Sequence, residues 1–189
     1  MYSSDGGLEH SSQLGDAIAH LLVDSTGGIW TGYFDEGVFG GGEYARHGLA
    51  RFGPDLSLVW SYPPDTGFGS ISDCYALNVD GDIAWAYYYT DFPIVKVGPD
   101  EVNGWTTSVL GAKALIVRDN KAALVGTHTS PYEVTQGELR PDGHFEETSR
   151  GVVRTEDGII DPESGRQAWF SRGRSLHVFV ERHWYRTEL

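Results

Sequence analysis

Ile29-Trp30-Thr31-Gly32-Tyr33-Phe34-Asp35 and Ala84-Trp85-Ala86-Tyr87-Tyr88-Tyr89-Thr90 align without a gap, and the alignment continues to Phe39 and Ile94. Each run follows an apolar stretch that ends in Val-Asp: Leu21-Leu22-Val23-Asp24 in the first, Leu77-Asn78-Val79-Asp80 in the second. A third copy reads Ala114-Leu115-Ile116-Val117-Arg118-Asp119-Asn120 and then Ala122-Ala123-Leu124-Val125-Gly126-Thr127. A weaker fourth copy is Gln167-Ala168-Trp169-Phe170-Ser171-Arg172-Gly173 followed by Leu176-His177-Val178-Phe179-Val180. Self-similarity at this period marks a repeat architecture in which each unit buries its apolar face against the next.

The copies stand 55, 39 and 54 residues apart, measured at Trp30, Trp85, Leu124 and Val178. The shortest spacing fits the roughly 40–45 residues of a four-stranded propeller blade. The longer two require insertions, one in the glycine-rich run Gly40-Gly41-Gly42-Glu43-Tyr44-Ala45-Arg46-His47 and the other in 150–166. In the first repeat the spacing predicts strands at about 17–23, 28–34, 48–52 and 56–62. The first hairpins turn on Asp24-Ser25-Thr26-Gly27-Gly28, Asp80-Gly81 and Asp119-Asn120, residues that tolerate the positive φ of tight turns. Helical periodicity is nearly absent, and without strand–helix alternation a parallel α/β fold is disfavoured.

Composition agrees. In 189 residues there are 25 Gly, 6 Trp, 10 Tyr and 8 Phe, the mixture of turn formers and strand formers that many short strands need. The expected fold is all-β and propeller-like, with about four repeats of four-stranded antiparallel meanders at roughly 17–65, 66–110, 111–152 and 153–189. The run His183 to Leu189 reads as a third strand with no fourth after it. Residues 1–16 form a separate N-terminal segment, able to supply that strand and close a minimal ring. A truncated propeller without independent activity is the alternative, and its open edge would invite pairing with another chain.

The segment Asp24 to Phe39 resembles the Asp-x-x-Gly-x-Ile-Trp-x-Gly blade motif of sensor-type and related bacterial β-propellers. From about Gly15 onward the chain is also similar to a group of uncharacterised bacterial propeller-like proteins. In that group a run like Ile29–Gly40 precedes one like Asp73–Asp82. The resemblance implies a repeat β architecture and carries over no functional residue, because the group has no assigned activity.

Charge and cysteine content narrow the function. Lys and Arg number 14 against 27 Asp and Glu, for a net charge of -13. Phosphate backbones and anionic membrane surfaces are repelled by such a chain, so neither nucleic acid nor membrane is an expected partner. The acidity is uneven: nine acids and two bases in 1–65, six and one in 66–110, twelve and eleven in 111–189. Cys74 is the single cysteine and forms no internal disulfide. The start lacks the basic and apolar regions of a secretory signal, so a cytoplasmic location follows by default.

Topology sorts the remaining chemistry. In a four-stranded meander the first and third turns emerge on one side, and the second loops and the links between blades on the other. That second rim collects Tyr33, Asp35, Glu36 and Tyr44 from the first repeat, and Phe68 and Asp73 from the link after it. The second repeat adds Tyr89, Asp91 and Phe92. Carboxylates interleaved with aromatic rings suit a sugar, a cationic small molecule or a protein group, so these nine residues are the expected ligand-binding set. Asp35, Asp73 and Asp91 are the candidates for a carboxylate pair, the arrangement of a carbohydrate hydrolase. No cofactor or metal is expected. Asn78-Val79-Asp80-Gly81-Asp82 lacks the Gly and Glu spacing of a calcium loop, and there is no His-Glu-x-x-His, nucleophile elbow or Walker sequence. The leading reading is a binding module without catalysis of its own.

Overall fold

A computed structural model describes residues 3–8, 11–98, 101–155, 158–159 and 167–189. Four small antiparallel sheets are arranged as the blades of a β-propeller. Blade 1 holds β1 (Ile18–Val23), β2 (Ile29–Tyr33), β3 (Leu49–Phe52) and β4 (Leu58–Ser61). Blade 2 holds β5 (Asp73–Asp80), β6 (Ile83–Tyr89), β7 (Ile94–Val97) and β8 (Val102–Trp105). Blade 3 holds β9 (Ala114–Arg118), β10 (Lys121–Val125), β11 (Glu133–Leu139) and β12 (Phe145–Val152). A hairpin of β13 (Arg154–Thr155) and β14 (Gly158–Ile159) precedes blade 4, which holds β15 (Gln167–Arg172), β16 (Ser175–Val180) and β17 (His183–Glu188). Every pair within a blade joins neighbours in sequence, so each blade is a meander.

The aligned tryptophans occupy equivalent places. Trp30 pairs across the sheet with Arg51, whose guanidinium lies over the indole, and packs on Trp60. Trp85 pairs with Lys96, whose ammonium lies over it in the same way, and stacks on Trp105. Each Trp covers a blade flank and is fastened by a cation from the third strand. The glycine after the first Trp has its own cause. A Cβ on Gly32 would stand 2.6 Å from Cys74 Sγ, so only glycine lets β5 pack this closely on β2.

The core fills the seams between blades. Trp30, Leu49 and Tyr62 meet Leu77, Val79 and Tyr88 between blades 1 and 2. Trp85, Tyr87 and Ile94 meet Leu115, Leu124 and Phe145 between blades 2 and 3. Ile116, Val125 and Tyr132 meet Leu176 and Val178 between blades 3 and 4. Polar clamps sit at the same seams. Asn78, fully buried on β5, donates to Leu115 C=O (2.9 Å) and Gly173 C=O (2.7 Å) and accepts from Gly173 N–H (2.6 Å), tying three blades at one point. His20 Nε2 lies 3.0 Å from Cys74 C=O, joining β1 to β5.

The ring-closing strand expected from residues 1–16 lies partly outside the described residues; blade 4 has three strands among the described ones. Leu14 packs on the outer face of blade 1, where its carbonyl accepts from the buried Tyr33 hydroxyl, because that face carries Tyr33, Ala50 and Phe52 and needs a cover. The insertion after β2 is more than a glycine loop: it holds α1 (Asp35–Phe39) and a 3-10 turn at Ala45–His47. Asp35 and Glu36 fill the first helical turn, where carboxylates oppose the positive end of the helix dipole. Among the described residues, no helix is long and apolar enough to cross a membrane.

Candidate functional site

Asp35 and Phe39 come from α1, Ser72 and Asp73 from the entry to β5, Tyr89 from the end of β6, Phe92 from the loop after it, and His128 from the loop after β10. With Tyr75 they line one cup of about 320 Å³ on the rim where second loops and blade links converge. The sorting of loops onto that rim therefore holds across three blades.

Phe92 is the floor. It is 6% exposed and packs against Tyr87, Tyr75, Tyr89 and His128 at ring-centre distances of 5.4, 5.1, 5.6 and 5.6 Å. Its φ of +52° is a strained value for a phenylalanine, accepted where the turn must swing the ring under its neighbours. Tyr75 reaches the cup because the β5 register slips between Cys74 and Ala76. That bulge re-aims one side chain while Cys74 stays buried against blade 1. Burial pushes the Cys74 thiol well up, which leaves it inert as a nucleophile.

The electrostatics of the cup are unbalanced. Burial, and then the charge of Asp35, raise the Asp73 carboxyl above the ordinary aspartate value. Burial raises the Tyr75 hydroxyl too, followed by the charges of Asp73 and Asp35. Asp35 accepts a bond from Glu36 N–H (2.8 Å). Among the described residues neither carboxylate has an ion-pair partner. None of the described residues form a metal-binding group of three or more His, Cys, Asp or Glu.

Of the nine residues expected on the rim, the structure gathers Asp35, Asp73, Tyr89 and Phe92. The others lie elsewhere. Tyr33 is fully buried in blade 1, on the face covered by Leu14. Tyr44 packs edge-on against Phe52 (5.2 Å). Phe68 lies over Gly104, where a Cβ would stand 2.7 Å from its ring, and joins the seam between blades 1 and 2. Glu36 and Asp91 are exposed outside the cup. The carboxylate cluster is thus a pair, Asp35 and Asp73, without Asp91. Phe39, Ser72, Tyr75 and His128 belong to the cup and were absent from the expected set. Phe39 follows Asp35 by four, the spacing that shares a helix face, whereas Tyr75 joins Asp73 through the bulge after Cys74, which no spacing rule announces.

A larger cleft of about 490 Å³ opens on the opposite face, beside Asp80, Arg118, Asp119, Arg172 and Arg174. Its charges are largely spoken for: Arg118 approaches Asp119 (4.0 Å), Arg174 pairs with Glu188 (3.1 Å) and Arg172 donates to Val23 C=O.

The YxzG family model matches residues 64–124, from the link before blade 2 into β10. No curated protein sequence matches the chain. Among solved structures the chain is similar to the glutaminyl cyclase of Myxococcus xanthus, with 12% identity and a TM-score of 0.52 over 90% of this chain and 70% of that one. It is also similar to YCF48 bound to D1 peptide, with 9% identity and a TM-score of 0.49 over 93% of this chain and 54% of that one. At such identity the likeness to the cyclase speaks for the propeller fold alone.

Proposed function

We propose that the chain is a non-catalytic binding module whose rim cup takes a cationic group, carried by a small molecule or by a protein side chain. One observation supports this above the rest. Asp35 and Asp73 are brought together among the rings of Phe39, Tyr75, Tyr89 and Phe92, with no ion-pair partner among the described residues. A carboxylate whose proton affinity is raised by burial and by a neighbouring carboxylate is relieved by a positive charge between the two. Aromatic faces attract that same charge, most strongly when it is weakly hydrated, as in an alkylated ammonium or a guanidinium.

Calorimetric titration with choline, agmatine and methyl glucoside tests the reading at pH 7.5. The two cations are expected to bind and the neutral sugar is not. Asp73→Asn is expected to weaken cation binding about tenfold, the size of one lost, partly desolvated charge contact. Because Asp73 must be ionised to contribute, affinity falls on acidification, and the fall begins at a higher pH than an ordinary aspartate would set. Binding of the sugar alone, or cation binding indifferent to Asp73→Asn, would sink the proposal.

The same pair favours one second reading, a carbohydrate hydrolase with Asp73, whose carboxyl is raised, as acid and Asp35 as its partner carboxylate. Glycoside turnover abolished by both Asp35→Asn and Asp73→Asn would put that reading first.

A further inference from the structure

Blade 4 leaves two features unused. Its outermost strand, β17, pairs only with β16 among the described residues, so one edge offers free N–H and C=O groups. The sheet face turned away from blade 3 carries an exposed ladder of flat groups. Phe170 stacks on His177 (5.0 Å) and Phe179 on Trp184 (6.0 Å), with ring planes within 7° and 1° of parallel. Trp184, on the edge strand itself, is 61% exposed. Nothing else in the described structure leaves an edge and a ring ladder open together.

We infer that β17 pairs antiparallel with β17 of a second copy of this chain, around a two-fold axis at Tyr185, joining two three-stranded sheets into one of six strands. The argument is the charge pattern along the strand. Centred at Tyr185, the pairing sets Arg182 opposite Glu188 of the second copy, and Trp184 opposite Arg186 of the second copy, each twice by symmetry. Directly opposite residues share a face, so these contacts extend the ladder side of the sheet. Within one copy Trp184 lies across from Phe179 and Arg186 across from His177. The joined face therefore runs Phe170, His177, Arg186, then Trp184 and Phe179 of the second copy. Guanidinium on indole is a favourable stack. Sliding by two residues in one direction sets Arg186 against its own copy, and in the other sets Arg182 against Arg186. Both alternatives oppose like charges, which disfavours them. Among these registers the pattern favours the one centred at Tyr185, which also has the longest overlap of the two strands without like charges opposed.

Light scattering on the 189-residue chain, from about 1 to 200 µM at low salt, reads the association directly. The mass is expected to rise from 20.8 kDa toward twice that value. Arg182 lies in the exposed turn before β17 and has no ion pair among the described residues, so Arg182→Glu leaves the fold intact. It is expected to weaken the dimer at least tenfold by setting Glu against Glu188 of the second copy. Adding Glu188→Arg to it is expected to restore association to within about threefold of the wild type, by the logic of a charge-swap cycle. A chain that stays monomeric over the whole range overturns the inference. So does a dimer that Arg182→Glu does not weaken, since that dimer would use another surface.

Discussion

Blades 2 and 4 are built from the same repeat and end in different states. In blade 2 both sheet faces are covered: Trp85, Tyr87 and Tyr88 on one strand are 7%, 0% and 0% exposed, although neighbours along a strand point to opposite sides. In blade 4 only the face toward blade 3 is covered, by contacts to Leu176 and Val178, while Phe179 is 36% exposed. The sequence of each blade follows its surroundings. β6 is apolar throughout and β5 is covered along most of its length, its buried Asn78 included, whereas β15 alternates between covered and uncovered residues. One repeat motif can therefore serve in the closed middle of an array and at an open flank, with the neighbour deciding how much of it is stabilising.

What holds the open blade to the closed one is a small polar contact, and breaking it should have the largest effect. Asn78 fills all three of its described bonds with the backbone of β9 and of the turn between β15 and β16. Asn78→Leu keeps similar bulk but strips Leu115 C=O of its side-chain donor and leaves Gly173 with only the longer bonds to Val79 C=O (3.2 Å) and from Val117 N–H (3.4 Å). We expect a loss of about 3 kcal/mol, the weakening of several buried hydrogen bonds. Urea unfolding followed at the tryptophans measures it. An early partial transition, with blade 4 released before blades 2 and 3, would sharpen the contrast between the blades. A loss below about 1 kcal/mol would show that the apolar seam alone holds blade 4 in place.

Most of the architecture was legible because the signals are local. The Ile-Trp runs, the Asp-Gly turns and the apolar first strands each act within about ten residues, and the structure places strands where those signals fall. The candidate cup was legible in part, and its misses share a cause. Tyr33 ends an exposed-looking strand, yet β2 alternates, so Ile29, Thr31 and Tyr33 face the side that Leu14 covers from a stretch with no pattern of its own. Phe68 looked like a rim aromatic, but the empty space over Gly104, 36 residues on, draws it into a seam. α1 spans one turn and a half, too short for its periodicity to show, and it alone turns Phe39 to the same side as Asp35. Contacts made by residues distant in the chain decided each of these, and no local pattern carries them.

The closed side of the molecule has its own polar clamp, and pH addresses it with an intermediate effect. Asp24 is buried, which on its own would raise its carboxyl. Bonds from the Thr26 hydroxyl, Arg51 and the Thr26 and Gly28 amides outweigh burial and hold it at about 2. It also accepts from Trp30 Nε1 (3.2 Å), so it fastens the very indole that defines the repeat. A carboxyl lowered in the folded state stabilises fully above its unfolded value near 3.9 and loses that contribution as pH falls through the folded value. We expect about 2 kcal/mol to disappear between about pH 4 and pH 2, measurable as a steep fall in melting temperature that Asp24→Asn removes.

Substitution at the open flank itself should matter least to folding. Trp184 rests its ring on Phe179 and donates to His177 Nδ1 (3.1 Å), but water reaches most of it. Truncation to alanine should cost under about 1 kcal/mol in dilute protein, far less than the roughly 3–5 kcal/mol expected when a buried tryptophan such as Trp85 is removed. The comparison becomes decisive when unfolding is repeated at increasing protein concentration. If the ladder is covered by a second copy, the wild type gains stability with concentration and the Trp184→Ala chain gains less, so the gap between them widens. A gap that stays constant over a hundredfold range of concentration would mean that the flank faces only solvent, and that the stacked rings stabilise nothing beyond their own sheet.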